Sequence, residues 1–138
     1  MMTTPLGSLL AFVAWAIVLL LAIGASRLHW FRSGRARPAD FTAGVPHGPD
    51  AYWRLNRAHR TCVEPLPLFA SVVLVATALD LHRSALDTLA LVVVAARVAQ
   101  SVVHVGSASE LAIHLRFFFF LLQIVAIVGF LGVIAVNV

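Results

Sequence analysis

The sequence predicts an all-α integral membrane protein, an up-and-down bundle of four membrane-spanning helices. Of its 138 residues, 61% are hydrophobic and 12% are charged, whereas a soluble domain is about half apolar and a quarter charged. The apolar residues fall into four segments. Three of them approach or exceed the roughly 20 residues that a helix needs to cross a bilayer, and the second does so when its polar first turns are counted. We place the spans at about 6–26, 52–79, 85–105 and 111–138, within one domain of residues 1–138.

The first span follows a helix-start pattern, Thr3-Thr4-Pro5,. No basic residue precedes its apolar run, which Trp15 interrupts, so we expect a retained helix and not a cleaved signal sequence,. A connection follows at about 27–51. Its part at 32–50 is rich in Gly, Pro and Arg, and we expect this part to be an irregular loop,.

Two prolines, Pro65 and Pro67, interrupt the second span. They should bend it just past Glu64 and free backbone carbonyl groups there, because proline has no N–H to donate,. The short turns at about 80–84 and 106–110 make the following helices antiparallel neighbours,.

The positive charge is concentrated in the first connection. All ten basic residues are Arg, and seven of them lie at positions 27–60, in the first connection and the polar first turns of the second span. By the positive-inside rule this connection is cytoplasmic and both termini lie outside, as we expect for a bacterial inner-membrane protein. Such a cluster indicates topology and contact with membrane lipid, so we expect no nucleic-acid partner for the net charge of +4,.

Cysteine and histidine usage excludes some chemistry. The single cysteine, Cys62, rules out an internal disulfide and the Cys-x-x-Cys motif of thiol oxidases, and we interpret it as a packing residue,. His59 and His104 lie on different predicted helices, and no spacing within one helix favours a metal site,.

Charged residues cluster where the second span begins. Arg57, Arg60 and Glu64 are separated by three, four and seven residues, which places them on one helical face,. Because charges are costly in lipid, they should face a bundle interior or a cavity and have partners there.

Two further polar groups belong to the last two spans. The third span carries one stripe at offsets of zero, three, four and seven: Arg97, Gln100, Ser101 and His104. The fourth begins with Glu110, His114 and Arg116. In the predicted topology all these groups converge near the cytoplasmic face.

Two interpretations of these charges differ in function. In the first, Arg60–Glu64 and Arg97 with a carboxylate form structural ion pairs. In the second, an anionic ligand binds, because four Arg (57, 60, 97 and 116) face only two Glu (64 and 110). An unpaired buried cation is costly, and Arg binds carboxylates well and can stabilise a thiolate. The count favours the second interpretation.

The second-span sequence Arg57-Ala-His-Arg-x-x-x-Glu64, followed by Pro67-Leu68-Phe69, resembles the signature of the MAPEG family, the membrane-associated proteins of eicosanoid and glutathione metabolism. The third-span pattern Arg97-Val-Ala-x-Ser-x-x-His104 and Arg116 resemble bacterial members. The resemblance implies a homotrimer of four-helix subunits that binds glutathione between neighbours.

The resemblance also implies roles for individual residues. Glutathione would be bound by the second-span residues Arg57, His59, Arg60, Thr61 and Glu64 together with Arg97 and His104. Arg116 would be the catalytic residue that stabilises the thiolate, which attacks a lipophilic electrophile entering from the bilayer. The sequence has Thr61 where the family usually carries Asn, and Pro65 where bacterial relatives often carry Asn.

We therefore expect a glutathione- or other thiol-dependent transferase or peroxidase. The alternative is a non-catalytic subunit, which acts as an accessory or scaffold in a larger membrane complex or binds an anionic lipid or cofactor. A small multidrug pump is disfavoured, because the first span has no acidic residue and Arg neighbours would keep Glu64 ionised.

Overall fold

The computed structural model describes residues 2–42 and 44–138, so Met1 and Ala43, which belong to the predicted domain and connection, lie outside the described residues. The described chain is helical and contains no strand. Its α-helices are α1 Thr4–Arg32, α2 Asp50–Val63, α3 Leu66–Ala78, α4 Ser84–Gly106 and α5 Glu110–Ala135, with a 3-10 turn at Pro38–Asp40. Because α2 and α3 together make one span, four helical units are long and apolar enough to cross a membrane. The predicted fold class is confirmed.

The first helix extends beyond the apolar run of the first span. Its start is capped by Thr3, whose Oγ1 accepts the Leu6 N–H at 3.4 Å,. Its last turn carries His29 and Arg32, and such residues are favourable at the negative end of a helix dipole,. The helix ends at Arg32, where the irregular part of the connection is predicted to begin, and it carries Arg27 to the groove described below.

The break in the second span lies where the prolines predict it. Helix α2 ends at Val63 and α3 begins at Leu66. Pro65 and Pro67 cannot donate backbone hydrogen bonds, so the regular pattern of α2 cannot continue through them. The regular helix is thus interrupted directly beside Glu64, where the prolines predict a bend.

The core of the bundle is apolar and contains an aromatic centre. Phe12, Phe69 and Phe130 are fully buried, with ring centroids 5.8 Å apart between Phe12 and Phe69 and 6.5 Å apart between Phe69 and Phe130. Helix α4 packs against α1, α2 and α5. Large apolar side chains such as Leu21 and Val125 are exposed on the outside of the bundle, where a lipid bilayer is their natural solvent.

The connection between α1 and α2 packs around aromatic rings. Trp30 lies 4.8 Å from Tyr52 and stacks at 5.8 Å on Phe41, measured between ring centroids. Arg27 donates from Nε to the Tyr52 hydroxyl at 2.6 Å, and its guanidinium carbon lies 5.2 Å from the Phe41 ring centroid. The predicted irregular loop is thus held against both helices by cation–π and aromatic contacts.

Gly48 gives a test of this packing. Its φ is +73°, and a Cβ atom there would lie 2.7 Å from the Trp30 ring. We expect Gly48→Ala to destabilise the connection by about 1–3 kcal/mol, because backbone strain adds to the clash. Limited trypsin digestion in detergent should then cleave faster after Arg35.

The matched control is Gly34→Ala. Gly34 also has a positive φ, +66°, but its Cβ would meet no atom within 4 Å. The Gly34→Ala variant therefore introduces backbone strain without a steric clash, and it should accelerate cleavage less than Gly48→Ala. Equal digestion of both variants would contradict the proposed role of Trp30 contacts in ordering the connection.

Candidate functional site

A groove of about 460 Å³ runs along the outward face of α2. It is lined by Arg27 from α1, by Thr42, Gly44 and His47 from the connection, and by Trp53, Asn56, Arg57, His59, Arg60, Thr61 and Glu64 from α2. Five residues of the predicted glutathione site therefore meet in one groove: Arg57, His59, Arg60, Thr61 and Glu64. Aromatic contacts hold the connection against this groove, with the His47 ring 5.9 Å from the Trp53 ring between centroids.

The groove carries more positive than negative charge. Arg27, Arg57 and Arg60 contribute three guanidinium groups, and Glu64 contributes the one carboxylate. In residues 2–42 and 44–138 the only side-chain ion pair is His82–Asp80, far from the groove in sequence. The structural Arg60–Glu64 ion pair considered above is therefore not formed. A groove of this kind can bind carboxylates through Arg and an ammonium group through Glu64.

These groove charges face outward from the chain and not into its bundle. Arg57, Arg60 and Glu64 are exposed, whereas Ala58 and Cys62 on the opposite side of α2 are fully buried. The three charged side chains line a groove, as expected, but no group from the interior of the same chain pairs with them in the described residues. The burial of Cys62 agrees with its interpretation as a packing residue.

The polar stripe of α4 lies on the inner side of α2. Arg97, Gln100, Ser101 and His104 are all buried, and Arg97 is only 1% exposed. Its NH1 atom donates to the backbone carbonyl of Thr61 at 2.9 Å. The predicted constellation is thus divided by α2 into an outward groove and an interior cluster.

The Thr61 carbonyl is available because of Pro65. In an α-helix this oxygen would accept the N–H four residues later, at position 65. Pro65 has no N–H, so the carbonyl would be unpaired in the membrane without Arg97. Pro65 therefore leaves the Thr61 carbonyl free to accept a hydrogen bond, and the buried Arg97 guanidinium donates it.

The rest of the Arg97 guanidinium is less well satisfied. Its Nε and NH2 atoms are buried without a hydrogen-bond partner in the described part of the chain. Its guanidinium carbon lies 5.6 Å from the Phe12 ring centroid, and the charge of Glu64 also acts on it. Arg97 adds positive potential behind the groove without lining it.

His104 and Arg116 lie near the end of α4 and the start of α5. His104 is buried, and the positive charges of Arg116 and Arg57 both act on it. Arg116 is half-buried, and its carbonyl accepts a hydrogen bond from Gln100. Neither residue lines the groove. The sequence-predicted site is thus brought to one end of the bundle but does not form one pocket within a single chain.

Thr61 uses its hydroxyl proton inside its own helix. Its Oγ1 lies 3.1 Å from both the Arg57 and the Ala58 carbonyl oxygens. The side chain can then offer a ligand only acceptor capacity.

Sequence reasoning missed several lining residues. Trp53 and Asn56 lie on the same face as Arg57, Arg60 and Glu64, so extending the helical spacing backward by one turn would have found them. Arg27 belongs to the Arg cluster that predicts the orientation in the membrane, and no local spacing links it to α2. No group of three metal-binding side chains lies together in the described residues.

The family model described as the MAPEG family matches residues 6–136 of the chain. The match covers nearly the whole chain, including all four spans, the groove and the interior cluster. A comparison with curated proteins finds no match.

The role of Pro65 can be tested by restoring the missing N–H. We expect Pro65→Ala to lower stability by about 1–3 kcal/mol, because the new N–H competes for the Thr61 carbonyl and leaves Arg97 without its hydrogen bond. Thermal unfolding in detergent measures the effect.

Pro67→Ala is the matched control. It changes the unfolded chain in the same way but does not restore the N–H that would pair with Thr61. A Pro65 variant no less stable than the Pro67 variant would contradict the proposed pairing.

Proposed function

Because the chain belongs to the MAPEG family, we propose that this integral membrane protein is a glutathione-dependent transferase or peroxidase acting on lipophilic electrophiles. The observation that carries the proposal is the surplus of guanidinium groups in a groove at one end of the membrane bundle. Such a surplus needs an anion, and charges at the start of a membrane span are seldom without function.

The groove complements the chemistry of glutathione. This peptide carries carboxylates at both ends, one ammonium group and a thiol. Arg27, Arg57 and Arg60 would bind the carboxylates, and Glu64 would accept hydrogen bonds from the ammonium group,. His59 and Thr61 would add polar contacts. Arg97 and His104 would act from behind α2, where Arg97 raises the positive potential.

Catalysis requires the thiol to ionise. A free thiol has a pKa of about 8.5, and a nearby guanidinium lowers it. We assign this role to Arg116 on α5. The thiolate sulfur then attacks an electrophilic carbon, a carbon–sulfur bond forms, and the leaving group departs with its electron pair. The thiol proton passes to water.

Completion of this site requires a second copy of the chain. Arg57, Arg60 and Glu64 are exposed on a surface that is otherwise suited to lipid, so another protein surface must cover them in the membrane,. We propose a homotrimer in which the groove of one subunit is closed by its neighbour. Arg116 of one subunit would then reach glutathione bound to another.

The orientation follows from charge. The Arg-rich connection would face the cytoplasm of a bacterial inner membrane, with both termini outside. Glutathione would enter from the cytoplasm, and the lipophilic electrophile would enter from the bilayer.

A second candidate function is favoured by Thr61. Its hydroxyl proton is used within α2, so Thr61 lacks the amide donor of the Asn that the family usually carries there. The same groove could then serve a non-catalytic subunit that binds an anionic lipid or cofactor, or that supports a larger membrane complex.

Calorimetric titration of reduced glutathione into the detergent-purified protein tests binding. We expect saturable binding that weakens at least about tenfold in Arg57→Ala, because one charge-assisted contact is worth about 1.5–3 kcal/mol. The matched control is Arg32→Ala, which removes an exposed Arg outside the groove. An absence of binding by a folded oligomer would sink the glutathione proposal.

Arg116→Ala separates the two candidate functions. In the transferase it should lower the conjugation rate with a chloronitroarene about 100-fold or more, because transition-state charge stabilisation is lost, while glutathione binding persists. Arg116→Lys should retain part of the rate, since it keeps the charge. Wild-type binding without turnover would favour the accessory subunit. Turnover that Arg116→Ala leaves unchanged would contradict the role assigned to Arg116.

A further inference from the structure

Two glutamine side chains form a hydrogen-bonded chain between α4 and α5. Gln123 is fully buried, and its Nε2 donates to Gln100 Oε1 at 2.9 Å and to the Phe119 carbonyl at 2.8 Å. The Nε2 of Gln100 in turn donates to the backbone carbonyl of Arg116 at 3.1 Å. These hydrogen bonds therefore lead from the apolar interior to the backbone of Arg116, the residue assigned to thiolate stabilisation.

Stability alone does not explain this pair. An amide buried in hydrocarbon is costly, and interhelical hydrogen bonds in membranes contribute only about 0.6 kcal/mol on average. Gln123 Oε1 is itself buried without a partner in the described part of the chain. A leucine at this position would avoid both costs.

The surroundings indicate what the pair adds. The buried side chains of α4 and α5 near it are mainly small or aliphatic, such as Val93, Ala96, Ala126 and Ile127. Such surfaces set the axial register of two helices weakly, whereas a polar pair in an apolar interface specifies one register. Here the specified contact falls on the backbone of Arg116.

We infer that Gln100 and Gln123 are positioning residues that fix the start of α5 so that the Arg116 guanidinium meets the thiol. This inference rests on the proposed function. Neither glutamine lines the groove, so they would act through Arg116 and not on the substrate. A shift of α5 by about 1 Å could then lower the rate about 100-fold without a loss of binding.

The test compares Gln100→Leu and Gln123→Leu with Asn137→Leu. Asn137 lies just after α5, and its Oδ1 accepts from Arg83, just before α4, at 2.7 Å, so this contact joins the same segments at the other end of α5. All three variants remove an amide hydrogen bond between these segments. If Gln123→Leu does not fold, Gln123→Met takes its place.

We expect both glutamine variants to fold with unchanged or higher thermal stability. Their kcat should fall about 10- to 100-fold with KM within about twofold, since the lost interaction acts in the transition state. The pH profile of kcat should move to higher pH, and the ultraviolet absorbance of the bound thiolate should decrease, because a displaced guanidinium stabilises the thiolate less. Asn137→Leu should match the wild type in all readouts.

A measurement without glutathione separates this inference from the proposed function. The nitrogen NMR signal of the Arg116 guanidinium in the unliganded protein should shift in both glutamine variants and stay unchanged in Asn137→Leu. An unchanged signal, or a kcat indifferent to both substitutions, overturns the positioning role. A shifted signal in a protein that binds no glutathione overturns the proposed function while the positioning of Arg116 stands.

Discussion

The hydrogen bond from Arg97 to the Thr61 carbonyl joins the two halves of the polar region. In hydrocarbon every backbone group needs an internal partner, and a proline within a span removes one donor. Pro65 frees the Thr61 oxygen, and Arg97 occupies it at 2.9 Å. Without this contact α2 would carry an orphan carbonyl, and α4 would carry a buried cation without any hydrogen bond. The helix interruption in the second span and the arginine in the third are thus linked by this hydrogen bond.

Helix α2 has two sides of different chemistry. Its inner side carries the fully buried Ala58 and Cys62, whose small side chains let α4 approach closely. Its outer side carries Arg57, Arg60 and Glu64 in the open groove. Positive potential therefore reaches the groove from its own arginines and from Arg97 behind the helix. An anionic ligand in the groove would interact with both.

Local rules predicted the parts of the structure that depend on local chemistry. The four spans follow from apolar length, the helix interruption follows from the missing N–H of Pro65, and the shared face of α2 follows from helical spacing. Contacts between distant residues were not predictable in this way. Arg27 meets Tyr52 across 25 positions of sequence, and Gln123 meets Gln100 across 23. A stripe of polar residues on α4 could be recognised, but its inward orientation depends on how all the helices pack.

In the proposed trimer, ligand binding and assembly depend on the same charges. Covering Arg57, Arg60 and Glu64 with a neighbour removes them from water, which is costly while the guanidinium groups lack anions. A bound dicarboxylate would neutralise that surplus and lower the cost of the interface. Any ligand that binds the assembled form in preference to the separated subunits stabilises the assembly by mass action. The surplus of arginine that marks the groove would therefore also make the oligomer most stable when its thiol substrate is bound.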